Sequence, residues 1–209
     1  MCWIPGLRKE QMIMMNNPVL PVRTAAEVNA AWNELRQTDW ECATVLFHKD
    51  LLNVWLQKNL MPELARRQIT SAVFDFREPD LVLLAVTTTL AGGMELLFTM
   101  RLENVVLDKD THALVFAYEE KAKTRALVGL LGGLAKKSSG QTYLQMALKN
   151  EPGISADAHH VTVDLDQFGD LSQLSDAVWN GHRIVEELVI TPKGVTSDHY
   201  GLDFSWKEA

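Results

Sequence analysis

The chain has 209 residues, 47% of them hydrophobic and 22% charged, with a formal charge of -7. That length supports one domain with a sizeable core, and the apolar content excludes a disordered chain. The acidic balance argues against a general nucleic-acid binder, whose affinity comes largely from neutralising phosphates. Basic pairs such as Arg66-Arg67 and Lys136-Lys137 read as solvated surface.

Residues 1–23 read as a loose N-terminal leader, because Pro5, Pro18 and Pro21 oppose regular structure, and 24–209 read as a single α+β domain. The Met12-Ile13-Met14-Met15 patch is too short for a signal-peptide core, and no run of about 18 apolar residues spans a membrane. As written, the chain reads as cytoplasmic. Cys2, next to Met1, would be the lipidation cysteine of an exported lipoprotein if the native N-terminus differed. Thr24 with Glu27 forms a capping box ahead of a helix over Ala25–Leu35. Cys42–His48 reads as a strand, with Cys42 as a buried free thiol. A second helix starts near Asp50 as N-cap and sets Leu51, Leu52, Trp55 and Leu56 on one face, with Asn53 off that stripe.

Four strands are then expected in succession, over 69–76, 81–90, 94–107 and 114–121. The third places Met94, Leu96, Phe98, Met100 and Leu102 on one face, and its phase slips after Asn104, as a bulge would cause. The 81–90 strand is apolar on both sides in its first half and should be covered on both. Short turns between these strands imply an antiparallel meander. A helical region over about 124–150 begins almost wholly apolar, with Gly129, Gly132 and Gly133 allowing close backbone approach, and Pro152-Gly153 ends it. The rest reads as a strand over 160–165, a short helix over 171–179, a strand over 184–190, a turn at Thr191–Gly194 with Gly194 at positive φ, and a closing strand over 200–206.

Catalytic and metal motifs are weak. The six histidines, His48, His112, His159, His160, His182 and His199, show no zinc spacing, and neither cysteine supplies one. The stretch 129–139 fails the phosphate-loop pattern, since Ala135 precedes Lys136 where glycine is needed. Glu119-Glu120 and Glu186-Glu187 are assigned to strands, which splits each pair between faces and offers no convergent carboxylates. No catalytic residue, metal or cofactor is assigned. What remains is apolar excess along the long strands and the helices, rich enough in methionine to suit an adaptable cavity.

The order of elements carries a resemblance. His48-Lys49-Asp50-Leu51-Leu52-Asn53 leads from a strand into a helix, long strands and a long helix follow, and Ile184–Val195 (IVEELVITPKGV) forms a late hairpin. Over residues 40–206 this resembles the small bacterial single-domain members of the tubular lipid-binding (TULIP) superfamily. Those members usually carry an export signal, and this chain shows none. The resemblance implies a long, curved antiparallel sheet wrapped around a long helix, with short helices added and an apolar channel between sheet and helix. It implies no catalysis. The expected lining is Trp55, Phe74, Leu96, Phe98, Met100, Phe116, Leu130 and Leu134, and the expected ligand a fatty acid or phospholipid. The alternatives are a structural or protein-interaction domain with a filled core, and an enzyme whose site follows no known motif.

Overall fold

The computed structural model describes residues 17–66, 68–89, 94–108, 110–122, 143–148, 152–167 and 177–207. These form an α+β fold rich in antiparallel sheet. The first sheet runs in the order β1 (Val19–Val22), β2 (Cys42–His48), β12 (His199–Trp206), β11 (Leu188–Thr196). The second runs β3 (Ile69–Arg77), β4 (Leu81–Thr88), β5 (Met94–Leu107), β6 (His112–Ala122), β8 (His160–Asp164), β7 (Ile154–Ala156). A small hairpin joins β9 (Val178–Trp179) to β10 (His182–Arg183). All pairings are antiparallel except β1 with β2.

The expected meander over 69–121 is present as β3–β6. Its bulge falls between Leu102 and Asn104, where the alternation breaks. Helix α1 (Ala25–Gln37) starts on the Thr24–Glu27 capping box, with Glu27 N donating to Thr24 Oγ1 at 3.2 Å and Thr24 N donating to Glu27 Oε2 at 2.9 Å. At its other end Trp40 Nε1 donates to the carbonyl of Leu35 at 2.8 Å, which satisfies an acceptor the helix itself leaves open.

Several expectations are corrected. Val19–Val22, inside the stretch expected to be irregular, form a strand; Pro21 is tolerated because β1 is an edge strand. The cap of the second helix, α2 (Lys49–Trp55), is His48 and not Asp50. Cys42 is no free thiol: it belongs to a disulfide. Residues 184–190 are not one strand. Ile184–Glu187 make a helical turn and β11 starts at Leu188, because Ile184, Val185 and Leu188 are buried together, as one helical turn allows, while a strand would have driven Glu186 inward. The Glu186-Glu187 pair therefore sits on that turn, not on a strand. Thr191–Gly194 is no turn either. It is a bulge within β11, and the chain reverses at Ser197-Asp198; Pro192 is accommodated because β11 is also an edge. Val178-Trp179, expected as the end of a helix, is a strand turning through Asn180 and Gly181, both at positive φ, the signature of a tight hairpin. Ala177 is not helical either; residues 171–176 of that expected helix, and 124–142 and 149–150 of the longer one, lie outside the described residues, while 143–148 are helical. The expected double cover of β4 is incomplete: on its far face Ala85 is exposed, beside Val73 at 47% exposure.

Candidate functional site

The inner face of the second sheet is built in rows. Ala72, Val86 and Leu96 stand side by side across β3, β4 and β5. Phe74, Leu84 and Phe98 form the next row, which continues into Glu120 on β6. Phe76, Val82, Met100 and Tyr118 form the third, and Leu102 and Phe116 stand beside Val161 of β8. Period-2 alternation puts all of these on one side.

Two clusters rest on that face. In the first, Leu96 and Phe98, each 1% exposed, pack with Leu56, Tyr118, Val161 and Leu144, the last from helix α4 (Tyr143–Leu148). In the second, Phe76, Val82 and Leu102 meet Val195 and Tyr200 of the first sheet. Phe74 and Met100 pack against both clusters and yet stay only partly buried, and Phe116 does the same against the second. These three large apolar side chains of the face are therefore only partly covered.

Of the expected lining, the structure brings Phe74, Leu96, Phe98, Met100 and Phe116 onto one face. Leu96 and Phe98 are buried within a packed cluster, whereas the other three are only partly covered. Trp55 does not join them, being 41% exposed. Leu130 and Leu134 lie outside the described residues.

The reason for Trp55 is the amide pair beside it. Asn53 Nδ2 donates to the Phe74 carbonyl at 2.9 Å, and Phe74 N donates back to Asn53 Oδ1 at 2.8 Å. One turn on, Gln57 Nε2 donates to the Ala72 carbonyl at 3.0 Å. Four helical residues advance about 6 Å and two strand residues about 6.6 Å, so the two amides match alternate groups along the open edge of β3. They do for this edge what another strand would do, and so protect it. They also fix the rotation of the helix: Leu52 and Leu56 point to the two clusters, and Trp55 falls on the flank away from the strand. The helix continues as a π-turn over Leu56–Leu60 and then as α3 (Met61–Arg66), with Leu60, Met61 and Leu64 on the first cluster. An amide pair four apart beside an apolar stripe was the available sequence signal. Replacing Asn53 by leucine, which removes both bonds and leaves Phe74 N–H without its acceptor, is expected to cost about 2 kcal/mol. A denaturant midpoint measures it, and a change within error would show that water replaces the amide.

Charges gather at one end of α2. Arg23 donates to Asp50 Oδ2 at 2.6 Å, and Lys49 Nζ lies 2.6 Å from Asp198 and 3.5 Å from Asp75. These bonds hold the Asp50 and Asp198 carboxyls below the ordinary value, and the bond to Asp198 holds Lys49 above it. Elsewhere Thr44 Oγ1 donates to Asp203 Oδ1 at 2.5 Å, and Lys193 Nζ donates to both, at 2.9 and 3.0 Å. The hydroxyl is buried beneath its partners, which makes this a cross-strand lock and not an exposed nucleophile. Among the described residues no three His, Cys, Asp or Glu side chains gather as a metal would require, and no helix is long and apolar enough to cross a membrane. No family model, curated protein or solved structure matches the chain.

Proposed function

We propose that the protein binds a hydrophobic, lipid-like ligand, a fatty acid or phospholipid chain, along the apolar face of the second sheet, without catalysis. The observation that carries this reading is the half-burial of Phe74 and Met100 against both clusters and of Phe116 against the second. Large apolar side chains left partly open on one face suit an elongated apolar partner, and methionine adapts to its shape. The full packing of Leu96 and Phe98 favours a second reading, an interaction domain with a filled core.

The test is titration of the full chain with a fluorescent fatty acid, beside native mass spectrometry of lipids retained on purification. The parent is expected to bind, and Met100→Trp to weaken binding at least tenfold by crowding that face while the fold persists. A parent that neither binds the probe nor retains lipid would favour the interaction reading.

A further inference from the structure

His48 and His199 face each other at the ends of β2 and β12, where they are register partners. Their ring centroids are 4.8 Å apart and nearly perpendicular, and His48 is 8% exposed. His48 is also the cap of α2: its Nδ1 accepts from Asp50 N at 3.1 Å. A nitrogen that accepts carries no proton, so the cap requires the tautomer protonated on Nε2. Asp50 Oδ2 lies 3.3 Å from the same Nδ1. The other charged groups around the pair are Arg23 on Asp50, Asp198 beside both rings, Lys49 on Asp198, and Asp75 on Lys49.

We propose that this histidine pair is a proton-operated latch on the first turn of α2. With Nδ1 bare, His48 caps the helix. A proton taken from solvent converts that nitrogen from acceptor to donor; it then turns to Asp50 Oδ2, and Asp50 N–H loses its acceptor. The pair takes one proton and not two, because a second imidazolium at this distance would meet a like charge in a poorly hydrated site. Burial first, and then the charge of His48, hold His199 below the ordinary histidine value. Protonation of Nδ1 takes the cap from Asp50 N–H, so acid loosens the first turn of α2. The effect passes along α2, since Leu52 and Leu56 pack on the two clusters and Asn53 holds the β3 edge. The latch rests on the cap geometry and needs no bound lipid.

Hydrogen exchange at the Asp50 amide, measured by NMR on the full chain without ligand and corrected for intrinsic rates, tests it. Protection is expected to fall about fivefold between pH 7.5 and 5.5, the equivalent of one cap at about 1 kcal/mol. His48→Asn, whose oxygen caps without titrating, should keep its protection at both values. The imidazole nitrogen shifts of the parent provide a second readout, with Nδ1 of His48 unprotonated at pH 7.5 and protonated at 5.5. Equal protection of the parent at both pH values, the same fall in His48→Asn, or a proton on Nδ1 at pH 7.5 would each overturn the latch. If His48→Asn does not fold, the nitrogen shifts decide alone.

Discussion

Phe98→Ala is expected to cost about 3–5 kcal/mol, the full loss for a large aromatic in a packed interior. Phe98 is 1% exposed, and its row neighbours Leu84 and Glu120 leave it no route to solvent. Leu56 and Leu144, brought by two helices, press on the same cluster, so the walls cannot collapse into the space without moving both. Met100, two residues along the same strand, should behave differently. It is partly open already, and Met100→Ala should cost about 1 kcal/mol, because part of the methionine surface never left water. Denaturant midpoints for both variants measure the contrast. An equally large loss at Met100 would mean that this part of the face is filled core, and the lipid-binding proposal would lose its main support. A small loss at Phe98 would instead point to an enclosed space beneath the sheet, as the tubular resemblance implies.

That contrast shows where sequence reading stops. Alternation along 94–102 reveals that Leu96, Phe98 and Met100 share a face, because a strand has no freedom in that respect. It says nothing about depth. Depth depends on where Leu56, Leu60 and Leu144 arrive from distant segments, and on Asn53 and Gln57, whose bonds to β3 set the angle of the helix. Local chemistry with a single conformational answer was legible: the Thr24–Glu27 box, the bulge near Asn104 and the positive φ of Gly194. Segments satisfying two periods were not. Ile184 and Leu188 are four apart, which suits a helical turn and a strand equally, and Glu186 between them was the residue that should have decided. Asn180-Gly181 carries a strong short hairpin signal, yet the apolar run just before it, 171–179, read as a helix and masked the strand at Val178-Trp179. The capping role of His48 was hidden behind Asp50, a commoner cap residue two positions later.

Gly194→Ala is expected to destabilise the fold by about 3 kcal/mol, more than an exposed strand glycine would suggest. Two costs combine. The backbone at Gly194 has φ +97, which side chains rarely adopt, and holding one there costs about 1–3 kcal/mol. A Cβ at that position would also lie 2.3 Å from the carbonyl oxygen of Pro79, an atom of the β3–β4 turn that cannot swing aside as a side chain would. That oxygen accepts from Val195 N at 2.7 Å, so relief of the clash breaks a bond that ties the turn to β11. Val195 is itself part of the cluster between the sheets, with Phe76, Val82 and Tyr200, and the damage should spread along that junction. The loss should therefore appear both as a lower denaturant midpoint and as faster amide exchange at Val195, while α1, with its own capping box and packed in a separate cluster with Val45 and Phe204, keeps its protection until global unfolding. Gly201, which faces Gly194 across the pair, provides the comparison. Its backbone is ordinary, and an added Cβ would meet Leu46 Cδ2 at 3.2 Å, a side-chain end that can shift, and Lys193 Cβ at 3.1 Å, a contact relieved by a few tenths of an ångström and not the 2.3 Å clash with backbone at Gly194. Gly201→Ala should thus cost clearly less than Gly194→Ala, and a reversed order would mean that the β3–β4 turn does not sit on β11 as described.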